Sequence, residues 1–239
     1  AFDVTYQNED NNKEYVYATS WGVSSRLIGA IIMVHGDENG LRLPPKVAPI
    51  QVVIVPIMKN NEDKEIIFNY INDLTDKLNS NSVRFHIDDR LKTSPGYKFN
   101  EWEMKGVPIR IEVGLKDIES KKITIYRRDL DQKNQIKIDK AINNINKMLN
   151  DIQNSLFEQA KLFLDNNTFT ITNWLEFKKQ IKLGGFIRCG WDGSNETEDR
   201  IKKETKATIR CIVSKVNDGS KCIYSNDVAK YEVIYAKAY

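Results

Sequence analysis

Cysteine is scarce in this chain of 239 residues: Cys189, Cys211 and Cys222 are all it has. An odd and sparse set speaks against a disulfide framework and favours a reducing compartment such as the cytosol. No apolar run approaches the length of a membrane span, which excludes a helical transmembrane protein. The start, Ala1-Phe2-Asp3-Val4-Thr5-Tyr6, is neither a charged leader nor a signal sequence and reads as the middle of a protein. Internal repeats and low-complexity tracts are lacking too. An excess of either charge is also missing: 36 Lys and Arg face 33 Asp and Glu, leaving a net charge of +3 and a pI near 8.6. That balance is compatible with RNA without demanding it. What remains is an ordinary globular composition, 41% apolar and 10% aromatic, enough to bury a core in one large or two small domains.

The segment around which the chain is organised is Ser20-Trp21-Gly22-Val23-Ser24-Ser25-Arg26-Leu27-Ile28-Gly29-Ala30. Before it, residues 14–19 alternate in the period-2 sense and pair in prospect with Phe2, Val4 and Tyr6 as an antiparallel hairpin. After it, Leu27, Ile28, Ile31, Ile32 and Val34 recur at helical spacing, with Ser24 or Ser25 available as N-cap. A cation in the first turn is mildly disfavoured by the helix dipole, so Arg26 points to an outside anion that offsets the cost, a phosphate onto which arginine can fork. An ordinary strand-to-helix turn with a surface arginine gives the same spacing. The helix is expected to end at His35-Gly36, with glycine left-handed and His35 serving the dipole in the last turn rather than catalysis.

Three of the six prolines, Pro44, Pro45 and Pro49, stiffen the next stretch, and a first domain boundary is placed there. Gln51–Ile57 is a continuous apolar run fit for a central strand covered on both faces. Ile66, Ile67, Tyr70, Ile71, Leu74 and Leu78 mark a helix, and Val83, Phe85 and Ile87 another strand. A short helix near 99–104, strands at 108–113 and 122–127 and a long helix over about 136–164 complete a mixed α/β domain. The pattern then restarts: strand 168–172, a helix carrying Trp174, Phe177 and Ile181, strand 185–191, a charged helix 198–206, and strand-like runs at 207–213, 221–224 and 231–236. The overall class is α/β, or α+β for the chain as a whole.

Read at greater length, Tyr17 through Arg26 running into Met33-Val34-His35-Gly36-Asp37-Glu38-Asn39-Gly40-Leu41-Arg42-Leu43-Pro44-Pro45-Lys46-Val47-Ala48 closely resembles the third signature motif of class II aminoacyl-tRNA synthetases. The form is that of prolyl-tRNA synthetases of the eukaryotic and archaeal type. The resemblance continues through Ser94-Pro95-Gly96-Tyr97-Lys98-Phe99-Asn100-Glu101-Trp102-Glu103 and residues 105–114, and returns weakly in the last fifty residues. It implies three parts: 1–48 as the end of the class II antiparallel catalytic sheet, 49–152 as a mixed-sheet anticodon-binding domain, and 153–239 as a small α/β C-terminal domain. The first two signature motifs have no counterpart here, so a C-terminal fragment, inactive alone, is expected.

The resemblance also implies roles. Arg26 contacts the γ-phosphate end of ATP, accompanied by Mg2+, and Ser20, Trp21 and Gly22 wall the proline pocket. Glu103, Arg110, Lys116 and Asp117 are expected to converge on one sheet edge and read the anticodon of tRNA(Pro). Its two adjacent guanines suit a mix of donors to O6 and N7 and acceptors for the Watson–Crick face. Tyr97, Phe99 and Trp102 serve either as stacking platforms or as core. Lys121, Lys122, Arg127 and Arg128 form a basic cluster, for any one of which a solvated strand end is the plainer reading. Zinc, which family members hold through four thiolates, meets Cys189, Ser194, Cys222 and Tyr224 here. Cys211 could add a third thiolate, yet no closed four-ligand set results, so no metal is expected. The function so implied is ligation of L-proline to tRNA(Pro) by a cytoplasmic homodimer built through the catalytic core. The rivals are a non-catalytic RNA-binding or regulatory homologue, and an unrelated ATP-binding protein with a chance motif.

Overall fold

The computed structural model describes residues 3–216 and 219–237, so Phe2, Ala238 and Tyr239 lie outside the described residues. The chain divides between Leu149 and Asn150 into two compact units.

The first unit opens with a two-stranded antiparallel hairpin, β1 (Thr5–Gln7) and β2 (Lys13–Tyr15), registered Tyr6 opposite Glu14. The expected strand over 14–19 is a strand only as far as Tyr15, with one further rung where the Val16 N–H donates to the Val4 carbonyl. Helix α1 (Arg26–His35) follows and buries none of its residues. Its N-cap position, Ser25, makes no side-chain capping bond. Gly36 ends it in extended backbone (φ −74°), not left-handed as expected. Glycine is needed there for closeness: a Cβ would stand 2.5 Å from the Ile32 carbonyl oxygen.

A five-stranded sheet forms the body of this unit, in the order β4-β3-β5-β6-β7, from β3 (Val52–Pro56), β4 (Phe85–Ile87), β5 (Ile109–Val113), β6 (Lys122–Arg127) and β7 (Gln132–Lys137). β3, β4 and β5 run parallel, and β6 and β7 antiparallel to their neighbours. β3 and β5 are buried throughout, as a continuous apolar run between two covered faces requires. Helix α2 (Asn61–Ser80) is capped by Asn60, whose side chain accepts from the Asp63 N–H, and buries the stripe Ile67, Ile71, Leu74, Leu78. Helix α3 (Pro95–Met104) starts earlier than its apolar pattern implied, because Ser94 caps it and Pro95 sits at N1, where a missing N–H costs nothing. Trp102 joins Val53, Val55 and Val107 in one core cluster.

Two elements were not expected. Helix α4 (Leu115–Glu119) is five residues long, too short for periodicity to register. β7 is a polar edge strand, QKNQIK, whose residues had been assigned in part to the following helix; that helix, α5 (Ala141–Asn166), begins only after a 3-10 turn at Ile138–Lys140.

The second unit carries a four-stranded sheet in the order β10-β11-β9-β8, from β8 (Thr168–Thr170), β9 (Phe186–Trp191), β10 (Ala207–Lys215) and β11 (Tyr231–Lys237). Helices α6 (Trp174–Leu183) and α7 (Asn195–Thr205) bury Phe177, Ile181 and Ile201 into a core with Ile187, Val233 and Tyr235. The run 221–224 is not a strand: it makes only isolated bridges, Gly190 with Cys222 and Lys221 with Val228, because it turns at Ile223–Ser225.

Candidate nucleic-acid interface

Alternation puts Arg110 and Glu112 of β5 on the face that Val53 and Val55 share in register, the face covered by α3. The neighbouring strands add Tyr126, opposite Arg110, and Lys133, opposite Tyr126. Two charged residues inside an otherwise apolar strand are the sequence signal of this site. Arg110 is 4% exposed. Its guanidinium lies 4.4 Å from the Phe99 ring centre and 4.1 Å from that of Tyr126, a cation held between two aromatic faces. Its Nε and Nη2 both donate to Glu112 Oε1, at 3.0 and 2.9 Å, and Nη1 donates to the Phe99 carbonyl. Lys133 Nζ donates to Glu112 Oε2 at 3.0 Å, closing the charge balance.

Glu103 Oε2 stands 3.8 Å from Arg110 Nη1, with its side chain one-fifth exposed. The Tyr126 hydroxyl is buried beside Asp131 and Glu103. Burial first, then the nearby carboxylates of Asp131 and Glu103, drive its pKa well above the usual phenol range. The patch thus joins an ion-paired base, Arg110 with Glu112 and Lys133, to the one-fifth exposed Glu103 carboxylate and to the Phe99 ring, over which Lys133 Nζ also stands at 5.1 Å. An acceptor beside a half-buried ring is what an unstacked base requires.

Of the four residues expected to converge, the structure brings together Glu103 and Arg110 only. Lys116 and Asp117 sit on α4, beyond the opposite end of β5, and Asp117 Oδ2 accepts the Gly114 N–H at 2.8 Å as a helix cap. Lys116 is exposed. Trp102 belongs to the core: it is 7% exposed and its Nε1 donates to Asp88 Oδ2 at 2.8 Å. Tyr97 is exposed on α3. In the basic cluster, Arg127 is bound to Asp129 and Arg128 is buried in a forked pair with Asp37; the solvated reading fails for both.

The segment 20–26 is laid open. Ser20, Trp21, Gly22 and Arg26 are all exposed, Trp21 to 94%, and no atom lies within 4 Å of where a Cβ of Gly22 would be. Burial, then Arg42, lowers the pKa of His35, and Arg42 Nε donates to the His35 carbonyl in the last turn. The proline stretch folds into a turn, with Pro44 and Pro45 buried and Arg84 donating to the carbonyls of Pro45 and Ala48.

Cys189 and Cys222 are buried, Cys211 exposed. Cys189 is in register with Val233 and Cys211 with the next residue, Ile234, so the two thiols project from opposite faces of the sheet. Tyr224 donates its hydroxyl to Glu204, and the Ser194 N–H is bound to Asp192. Among the described residues there is no group of three or more His, Cys, Asp or Glu that could hold a metal ion, and no helix is long and apolar enough to cross a membrane.

Residues 51–148 match the family model of an anticodon binding domain, and residues 174–239 that of the prolyl-tRNA synthetase C-terminal region. The whole chain is similar to proteins called proline–tRNA ligase: 44% identical to one from Flavobacterium johnsoniae, of which it covers 49%, 42% identical to one from a Roseiflexus species, covering 50%, and 43% identical to one from Porphyromonas gingivalis, covering 49%. The chain spans about half the length of the curated relatives it matches.

Proposed function

The chain belongs to the prolyl-tRNA synthetase family, and on that premise we propose that it recognises the anticodon of tRNA(Pro) within a ligase that joins L-proline to that tRNA at the expense of ATP. The observation that carries the reading is the Glu103–Arg110 patch, which lies inside the segment matched by the anticodon-binding model. Glu103 accepts from the N1–H and N2–H edge of a guanine, and the Phe99 face takes the stacked base. Arg110, paired with Glu112 through Nε and Nη2 and donating through Nη1 to the Phe99 carbonyl, holds both in place. Lys116 and Asp117 form a second contact at the far end of β5, with Lys116 the available donor.

Activation of proline belongs to the exposed 20–26 segment completed by the rest of the protein. Arg26 neutralises the phosphate end of ATP, with Mg2+ accompanying the nucleotide, and Ser20, Trp21 and Gly22 wall the proline pocket. Arginine suits the task because its guanidinium forks onto phosphate oxygens. Assembly as a homodimer through the catalytic core and a cytoplasmic location are part of the same reading.

The test is to compare aminoacylation with proline-dependent pyrophosphate exchange in the full-length protein. Glu103→Gln is expected to weaken aminoacylation by about 1–3 kcal/mol, the range for one lost base contact, and to leave exchange unchanged. Equal losses in both reactions would make Glu103 a structural residue.

A further inference from the structure

The C-terminal turn of α3 is held on one side by the base-reading patch and on the other by the end of α1. Glu103 belongs to both. Its carboxylate faces Arg110, while its carbonyl accepts from Arg128 Nε at 3.1 Å. The same guanidinium forks onto Asp37: Nη1 donates to Oδ2 at 2.8 Å and Nη2 to Oδ1. Asp37 lies two residues beyond the last residue of α1. Arg42 ties this turn back to the helix through the His35 carbonyl and stands 3.6 Å from Asp37.

We propose that the Arg128–Asp37 fork is a positioning device that transmits occupancy of the base-reading patch at Glu103 to the helix that carries Arg26. The proposal rests on the function proposed above. A forked arginine fixes direction as well as distance, and Arg128 serves acceptors on two different elements, so a displacement of the Glu103 turn must be shared by Asp37. Stability alone does not account for burying this group. The turn is already fastened to α3 by the Leu41 N–H on the Met104 carbonyl and the Leu43 N–H on the Gly106 carbonyl. Within the pair Arg128 is buried and Asp37 one-third exposed, so a buried guanidinium is held by a carboxylate at the surface. A stiff connection with two anchored ends is suited to carrying a differential between bound and free states, which is what coupling between sites consists of.

The experiment uses the full-length protein with Asp37→Asn and, separately, Arg128→Lys, which keeps the buried charge and loses the fork. Aminoacylation is measured on a tRNA(Pro) transcript and on one whose two anticodon guanines are replaced by adenines; pyrophosphate exchange without tRNA and the melting temperature are measured alongside. Wild type is expected to distinguish the two transcripts in both kcat and KM. The variants should keep the exchange rate and a KM for the cognate transcript within about twofold, yet lose about tenfold of the discrimination in kcat. An unchanged kcat ratio in Arg128→Lys overturns the proposal. So does a loss that strikes exchange and aminoacylation equally, the sign of a merely structural pair. If wild type itself fails to distinguish the transcripts, anticodon reading by this patch is overturned and the coupling with it.

Discussion

The indole nitrogen of Trp102 donates to the carboxylate of Asp88 at 2.8 Å, and in doing so it fastens the last turn of α3 to the end of β4. Asp88 is 1% exposed and carries more than this bond. Arg90 forks onto it through Nε and Nη2, and the buried Lys98 stands 3.6 Å from Oδ1 while donating to the Asp88 carbonyl. Burial opposes ionisation, but Arg90, Trp102 and Lys98 together hold the carboxyl well below the usual aspartate range. Removing its charge leaves Lys98 buried without a counterion, so Asp88→Asn is expected to cost about 3–5 kcal/mol in denaturant unfolding. The sign with pH follows from a depressed folded value. The stabilisation is fully present above the ordinary aspartate value of 3.8 and is lost as pH falls below it towards the folded value. Wild type should therefore lose stability below about pH 4 more steeply than Asp88→Asn does; parallel curves would show that Asp88 is not the titrating clamp.

Gly40 and Gly106 are where the turn after α1 meets the end of α3, and neither has room for a side chain. A Cβ on Gly40 (φ +127°) would stand 2.6 Å from Met104 Cα, and one on Gly106 (φ +74°) 2.5 Å from Leu41 Cβ. Strain at a positive φ adds to overpacking against backbone. Gly40→Ala and Gly106→Ala are each expected to destabilise by about 2–4 kcal/mol, read as a shift in the urea midpoint at constant slope. A shift within experimental error in either variant would mean that the turn can move away from α3.

The architecture of the sheet was legible because β3 and the stripe on α2 are long, apolar and periodic. The patch was half legible. Arg110 and Glu103 are marked by charge within or beside apolar elements, but their partners Tyr126 and Lys133 come from antiparallel strands whose register no local pattern encodes, and β7 is polar at almost every position. Long-range pairs were the least legible. Nothing near Asp37 announces Arg128, 91 residues away, and nothing near Arg84 announces that it binds the proline turn. Glu103 and Arg110 meet, whereas Lys116 and Asp117 do not join them, because residues along one strand are separated by its full length however close they are in sequence.

Arg26 is expected to act at the phosphate end of ATP. In the full-length protein Arg26→Ala should slow prolyl-adenylate formation by about 2–4 kcal/mol, the scale for losing one charge-assisted contact to a transition state. Residues 1–239 alone should give no pyrophosphate exchange, since α1 buries nothing within this chain and Trp21 stands open to solvent. Exchange at the wild-type rate in Arg26→Ala would remove this residue from the reaction.

The second unit is expected to fold without zinc, held instead by Asp192. Burial works against ionisation of this carboxyl, yet the Ser225 hydroxyl, the Ser194 N–H and the Thr197 hydroxyl all donate to it, at 2.7, 2.9 and 2.7 Å, and hold its pKa below the usual range. Those three donors come from the 223–225 turn, the N-cap of α7 and the first turn of α7, the elements a metal would otherwise clip together. Cysteine binds zinc as the thiolate. Burial first, then Cys222 and Glu232, pushes the Cys189 thiol up to about 12, so in the metal-free protein it is protonated near neutral pH. The third cysteine projects from the opposite sheet face and cannot complete a set. Asp192→Ala strands Thr197 and Ser225 without their acceptor and should cost about 1–3 kcal/mol, whereas a strong chelator should leave the melting temperature of the wild-type protein unchanged. Metal analysis of protein purified without added zinc should find well below one equivalent. One tightly held zinc per chain, or melting on chelation, would show that Cys189 and Cys222 recruit ligands this arrangement does not offer, and that Asp192 is not the clasp.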